Sequence, residues 1–304
     1  MILIITHKLD FTADYVINIL NERKIPYRRF NCEDVLNVSW DFKYKPDFTF
    51  DFLGVDDYQS VWFRRTMLPD LSNIDEEYRL YITTEIDVFL KNIFSVIDAK
   101  WISDPNSIYK SENKMYQLRI AHKLGFNIPE TLITSKKEEI VEFYNKHKKI
   151  IVKPLSQTRI NKNDSAEFIF TSTVSHKQIN NLSDFDITPC IFQKEIDKTL
   201  EIRATVIGDS VFSAQVNSQT DDETKVDWRR KRLSFTPFNL PLEMEIKCIN
   251  LVKDMGLCFG AIDLILSPNG TYTFLEINPN GQWVWIENET GLPISDTLIN
   301  YLLR

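Results

Sequence analysis

Glycine is scarce in this chain, with eight in 304 residues, and both glycine-built phosphate motifs are missing. No GxxxxGKS or GxxxxGKT occurs, so no Walker-type loop is present. No GxGxxG opens a helix, which argues against a Rossmann dinucleotide site. Any nucleotide must be gripped by side chains and strand backbones. The four cysteines (Cys32, Cys190, Cys248 and Cys258) stand singly with no CxxC pair. That argues against a zinc ribbon or a redox dithiol and fits buried thiols in a reducing compartment. His7, His122, His147 and His176 are scattered, so neither a His-rich metal site nor a Ser-His-Asp triad is suggested. No apolar run approaches the ~20 residues that span a bilayer. The opening MILIIT has no basic leader and soon meets Asp10, so it reads as a strand and not as a signal peptide. The expected location is cytoplasmic, with no membrane partner.

What is present is an ordinary soluble composition, 43% hydrophobic and 26% charged, with a formal net charge of -7. An acidic balance argues against general affinity for nucleic acid. The length allows two or three lobes. The pattern predicts strand 2–5, a helix from Asp10 to Leu20, strand Tyr27–Asn31, a weakly alternating edge hairpin over 42–52, strand Ser60–Phe63 and helix 82–97. This is a parallel α/β unit, and Trp101–Ser103 with Asp104-Pro105 reads as its exit linker. A second unit begins with Ser111 as expected N-cap and a helix ending at Gly125. Strand 130–134, helix 137–146, strand 149–153, a polar loop over 155–166 and strand 167–172 follow. A third unit is mostly antiparallel, with strands 191–195, 201–207, 210–219, 260–266 and 272–278 around an amphipathic helix 242–255. The expected domains are 1–103, 104–190 and 191–304, an α/β fold with α+β lobes.

The most informative stretch is GAIDLILSPNGTYTFLEINPNGQ, residues 260–282. Asn269-Gly270 signals a two-residue hairpin turn. That turn sets Pro268 against Thr271 and Asp263 against Glu276, with Asn278 two residues on along the same face. A four-residue turn would keep the three together, and a three-residue turn would split them. The opposite face would carry Ile262, Leu264, Leu266, Leu275 and Ile277, an apolar wall for the 242–255 helix. Two facing carboxylates repel unless a cation sits between them, and Asp, Glu and Asn oxygens suit magnesium. The plain alternative is a pair of solvent-facing acids.

Several cations stand in costly places. Lys153 ends an apolar strand, where it either snorkels to water or meets phosphate as a point charge. Lys114, in the first turn of a helix, opposes the dipole, and it either meets an anion or is simply solvated. Glu201, Arg203 and Thr205 share a strand face, where Arg203 either pairs with Glu201 or holds a phosphate oxygen. The run from Asp227 to Arg232 is basic, either a solvated loop or a clamp for an acyl phosphate.

Taken in order, these segments resemble an ATP-grasp enzyme: the Asn113-Lys114 helix, Gly125 to Pro129, Ile151-Val152-Lys153-Pro154, Gln193-Lys194-Glu195-Ile196, Glu201-Ile202-Arg203, Asp263, and Glu276 to Gly281. The resemblance covers roughly 104–304, with residues 1–103 as the preceding α/β domain. Within that superfamily, Val61-Trp62-Phe63-Arg64-Arg65, Asp227-Trp228-Arg229, and the tail from Asn280 to Ile294 resemble the graspetide synthetases. These are peptide macrocyclases of microviridin type and grasp-with-spasm systems. The resemblance implies an ATP- and Mg2+-dependent ligase that activates Asp or Glu side chains of a ribosomal precursor peptide, leader plus core, and joins them to Thr or Ser hydroxyls or Lys amines. It implies Lys114 and Lys153 on the phosphates, Gln193 and the backbone of Lys194, Glu195 and Ile196 at adenine, and Glu201 at ribose. It further implies Arg203 neutralising phosphate, Asp263, Glu276 and Asn278 on magnesium, Arg229 or Arg230 at the acyl phosphate, and Arg64 and Arg65 on substrate carboxylates. The loop 155–166 departs from the pattern, since it has no glycine. Alternatives are a ligase adding amino acids to a protein tail or small peptide, and a non-catalytic ATP-binding scaffold. Whether the chain pairs as a homodimer is left open.

Overall fold

The computed structural model describes residues 1–36, 51–156, 159–162, 165–182 and 189–304. Its first unit comprises β1 (Ile2–Thr6), α1 (Phe11–Glu22), β2 (Tyr27–Asn31), β3 (Ser60–Phe63), α2 (Glu76–Val96) and β4 (Lys100–Ile102). The strands form one parallel sheet in the order β2-β1-β3-β4. Every residue of β1 and β3 is buried, which is why both read as unbroken apolar runs. Asp10 caps α1, its side chain accepting from the Thr12 and Ala13 amides. The residues expected to form an exit linker, 101–103, instead begin inside β4, because Trp101 and Ile102 pair with Val61 and Trp62. Most of the 42–52 hairpin expectation lies outside the described residues, although Phe52 bridges to Val55.

The second unit runs through α3 (Pro105–Ser111), α4 (Lys114–Lys123), β5 (Thr131–Thr134), α5 (Lys137–His147), β6 (Ile150–Pro154), β7 (Arg159–Lys162), β8 (Ser165–Phe168), β9 (Ser172–Thr173), α6 (His176–Asn180) and β10 (Cys190–Lys194). Ser111 is the last residue of α3, and the cap of α4 is Asn113, which accepts from the Met115 and Tyr116 amides. The two short helices are separate because Asp104 and Pro105 start one and Asn113 restarts the other. The 155–166 segment is not all loop, since β7 and β8 pair as a hairpin. The strand expected to open the third unit, 191–195, belongs here: β10 lies between β5 and β6 in the antiparallel order β5-β10-β6-β9.

The third unit holds β11 (Leu200–Ile207), β12 (Ser210–Val216), β13 (Thr236–Pro237), α7 (Leu242–Asp254), β14 (Phe259–Leu266), β15 (Tyr272–Asn278), α8 (Val284–Thr290) and α9 (Ile294–Leu303). Its strands form an antiparallel sheet ordered β13-β12-β11-β14-β15. Met244, Cys248, Leu251 and Val252 of α7 bury themselves against Ile262, Leu264, Phe274 and Ile277, as the amphipathic pattern requires. The C-terminal helix returns to the first unit, where Ser60 Oγ donates to the Leu302 carbonyl at 2.8 Å. Among the described residues, no helix is long and apolar enough to cross a membrane.

Candidate active site

The β14–β15 hairpin turns through three residues, not two. The Ser267 amide donates to the Thr271 carbonyl at 3.0 Å, and the Gly270 amide to the Ser267 carbonyl at 2.9 Å. Gly270 sits at φ +81°, the left-handed position that closes such a loop. A three-residue turn alone would move Glu276 off the Asp263 face. A second irregularity cancels the shift. Leu264 pairs with Phe274 whereas Asp263 pairs with Glu276, so Leu275 is bulged out. The bulge sends Phe274, not Leu275, into the core, where it is fully buried beside Phe126. Burying such a ring stabilises the fold by roughly 2–3 kcal/mol. Leu275 turns instead to a cavity on the carboxylate face.

Three β-strands then set the charged row by cross-strand pairing. Arg203 on β11 faces Asp263 on β14, which faces Glu276 on β15. Arg203 Nε approaches Asp263 Oδ1 to 2.7 Å. Asn278 lies one pair further along the same face, with its Nδ2 3.4 Å from Asp263 Oδ2. Gly281, just past Asn278, is obligatory in this packing, because a Cβ there would lie 2.5 Å from the Ala261 Cβ. The edge of β15 is fixed from α4 by Gln117. Its Nε2 donates to the Ile277 carbonyl at 2.8 Å and its Oε1 accepts from the Ile277 amide at 3.1 Å. Sequence reasoning missed Gln117; a buried amide on an otherwise amphipathic helix was the available signal.

Cations reach this row from distant segments. Lys114 ion-pairs with Glu276, which supplies the anion its place in the first turn of α4 calls for. Lys153, at the end of β6, is pushed down to about 8 by burial, with Glu276 pulling it up and Lys114 and Arg229 adding to the fall. Burial drives the Asp263 carboxyl up to about 6, Arg203 opposes, and the Glu276 charge adds to the rise. Glu276 is itself held well below the usual carboxylate range: burial disfavours its charge, but Lys114, Lys153 and Arg229 more than compensate.

These groups line a cavity of about 340 Å³ between the second and third units. Lys114, Lys153, Gln193, Lys194, Glu195, Ile196, Glu201, Arg229, Asp263 and Glu276 all face it, so most of the residues expected at the site converge. Lys198, which ion-pairs with Glu201 at 2.8 Å, and the apolar walls Ile151, Ile265 and Leu275 were not foreseen there. Arg203 stands behind Asp263 and is not among the lining residues. Arg229 faces the cavity, braced by two hydrogen bonds to Asp227 at 2.8 and 2.6 Å. Arg230 does not face it. Its Nη2 donates to the Thr171 carbonyl and the Ser172 hydroxyl. Arg64 is also diverted. It is buried in the first unit, with Nε 3.3 Å from Asp10 Oδ2 and Nη1 donating to the Asn280 carbonyl.

A second cavity of about 250 Å³ opens on the other side of the Lys114–Glu276 pair. Arg65, Glu112, Ser156, Asn278 and Asn280 line it, and Lys114 and Glu276 line both cavities. Arg65, unlike Arg64, therefore opens to this cavity.

The donor set suits a nucleotide with a hard divalent cation. Among the described residues, no group of three or more His, Cys, Asp or Glu side chains is gathered as a metal site. Two carboxylates and an amide oxygen leave the remaining positions to phosphate oxygens and water, the usual habit of magnesium. Three cations around the row call for polyanionic phosphate. Gln193 Oε1 is buried with no hydrogen-bond partner, an acceptor that suits the amino group of a purine.

Comparison with known proteins agrees with this geometry. Residues 113–217 match the ATP-grasp domain of prokaryotic glutathione synthetase. The fold superimposes on a RiPP-associated ATP-grasp ligase of Chryseobacterium gregarium, in complex with ADP and a leader and core peptide, with a TM-score of 0.91. That match has 28% identity and covers 99% of this chain and 96% of the other. The chain is an ATP-grasp ligase. The ligase is also similar to macrocyclase MdnC of Microcystis aeruginosa, bound with precursor peptide MdnA: TM-score 0.89, 28% identity, and coverage of 100% of this chain and 99% of the other. A curated relative, a probable alpha-L-glutamate ligase of Chromohalobacter salexigens, is 24% identical over 217 residues, covering 69% of this chain and 68% of the relative.

Proposed function

We propose that the ligase is a graspetide-type peptide macrocyclase. It would activate an Asp or Glu side chain of a ribosomal precursor peptide as an acyl phosphate and join it to a Thr or Ser hydroxyl or a Lys amine. The observation that carries this reading is the pair of cavities meeting at Lys114 and Glu276: one is suited to a nucleotide, and the other opens toward the first unit, with room for a side chain of a larger substrate. End-to-end likeness to two proteins described with peptide substrates supports it.

ATP, when bound, would supply the γ-phosphoryl group that converts the carboxylate to an acyl phosphate, a mixed anhydride with phosphate as its leaving group. Lys114, Lys153 and Arg229 would hold its phosphates and neutralise charge that develops during transfer. Asp263, Glu276 and Asn278 would hold magnesium, with Arg203 keeping Asp263 in place. Gln193 and the Lys194–Ile196 backbone would take the purine, and Glu201 the ribose. Arg65 would orient the substrate carboxylate from the second cavity. Ring closure within one peptide is effectively unimolecular, which raises the effective concentration of the nucleophile.

The second reading is addition of a free amino acid to a protein tail or small peptide, favoured by the similarity to a probable alpha-L-glutamate ligase. One experiment separates the two. The protein is incubated with ATP, Mg2+ and the synthetic peptide of a neighbouring short reading frame with an Asp/Glu- and Thr-rich core, and products are read by mass spectrometry. Macrocyclisation gives loss of one water per ring with no added amino acid. A mass gain that requires free glutamate would select the second reading, and nucleotide binding with no peptide-stimulated phosphate release would mark a scaffold.

A further inference from the structure

The transfer half-reaction needs a proton acceptor for the incoming nucleophile, which the reading above brings to the second cavity. Glu276 is tied to Lys114 in an ion pair and is assigned to magnesium in the reading above, so it is not free to take a proton. Asp263 lies in the ion-paired row on the nucleotide side. Among the described residues lining the second cavity, the only other carboxylate is Glu112.

Its placement is specific. Glu112 closes α3, its amide donating to the Ile108 carbonyl at 3.0 Å, and Asn113 immediately starts α4 by capping. Glu112 is thus held between two helices, two residues before Lys114, and lines the same cavity as Asn278 and Asn280. No hydrogen bond or ion pair engages its carboxylate among the described residues, whereas Lys114, Glu201, Asp263 and Glu276 all have partners. Glu112 is exposed as a whole residue, and partial desolvation of its carboxyl at the cavity wall raises it above the usual carboxylate value, against the pull of Arg65. A carboxylate raised in this way is a better proton acceptor near neutrality.

We propose that Glu112 is the general base of the transfer step, accepting the proton of the attacking hydroxyl or amine in the second cavity. This rests on the ligase reading above. The nucleophile's oxygen or nitrogen bonds to the acyl carbon, the bond from that carbon to the phosphate oxygen breaks, and phosphate departs with the electron pair. The proton on Glu112 then passes to the departing phosphate or to solvent, so the base is regenerated. Arg65, on the same cavity wall, would orient the carboxyl group that is activated.

The test uses hydroxylamine, a nucleophile that needs no base at neutral pH, alongside the same synthetic precursor peptide and MgATP. Wild-type protein should yield both rings and, with hydroxylamine, the peptide hydroxamate. Glu112→Gln, which preserves shape, should lower ring formation by about 100-fold or more yet leave hydroxamate formation within a few-fold of wild type. Glu112→Asp should recover part of the ring formation. Ring formation by Glu112→Gln within a few-fold of wild type would overturn the proposal. Equal loss of rings and hydroxamate would also overturn it, placing Glu112 in activation or folding. Absence of both products from wild-type protein would instead defeat the macrocyclase reading itself.

Discussion

Lys153→Met should make the ligand-free protein more stable while crippling it as a nucleotide enzyme. The Lys153 ammonium is pushed from 10.5 down to about 8 by burial, with Lys114 and Arg229 adding to the effect. The unfolded chain keeps this proton up to its ordinary value, and the folded chain releases it near 8. Between those values the unfolded state binds more protons, so stability rises with pH. Below about 8 the full penalty is in force, at most about 3 kcal/mol because the side chain is only partly enclosed. Methionine keeps the length of the stem and removes the charge, so the variant should gain about 1–3 kcal/mol near pH 7. It should also lack the rise between about pH 8 and pH 10.5 seen in the parent. The same change deletes a charge-assisted contact to phosphate worth about 1.5–3 kcal/mol, which weakens MgATP by about 10- to 100-fold. Urea denaturation at two pH values, with and without MgATP, reads both effects. A variant less stable than the parent without nucleotide, or one that MgATP stabilises equally, would refute the argument.

Further expectations follow from the same row. Glu276→Gln should lower MgATP-dependent ADP release by about 100-fold or more and raise the Mg2+ needed for half-maximal rate, since it removes one of two carboxylates and the partner of Lys114; unchanged turnover with native fold would remove Glu276 from the metal role. Gln117→Ala should destabilise by about 2–3 kcal/mol, because it strands the buried Ser111 and Ile277 backbone groups; denaturant titration checks this. Arg64→Met should cost about 3–5 kcal/mol near neutral pH by leaving the Asp10 carboxylate buried and unpaired. In the parent, burial pushes Asp10 up, but Arg64, Thr6 and the Ala13 amide bring it below its ordinary value. That stability is therefore present above about pH 4 and lost as pH falls through the lower folded value. In the variant the penalty should shrink on acidification, as protonation removes the stranded charge. Gly281→Ala should impair turnover more than stability, because a Cβ there collides with Ala261 beside Asn278; thermal melting paired with ADP release separates the two.

Much of the architecture is legible in the sequence because its causes are local. Period-two alternation puts Asp263, Glu276 and Asn278 on one face. Asp10 and Gly125 punctuate helices, and the buried runs of β1 and β3 announce a parallel sheet. Even the departure at the hairpin is local: Asn269-Gly270 favours a two-residue turn, and the three-residue loop with its bulge at Leu275 restores the same face by a different route. What local rules cannot reach is pairing across the chain. Lys114 and Glu276 lie 162 residues apart, and no spacing rule says that their charges meet. Nor does the run of basic residues say that Arg229 turns inward while Arg230 bonds to the 171–172 backbone and hydroxyl, or that Arg64 is buried with Asp10 while Arg65 opens to a cavity. Placing β10 between β5 and β6 was likewise a matter of sheet assembly. The sequence by itself determined which side chains each strand and helix would present. The tertiary structure alone decided which of those charges share a low-dielectric cavity, and it is that sharing, through desolvation and Coulomb coupling at short range, that turns separate acids and cations into one site.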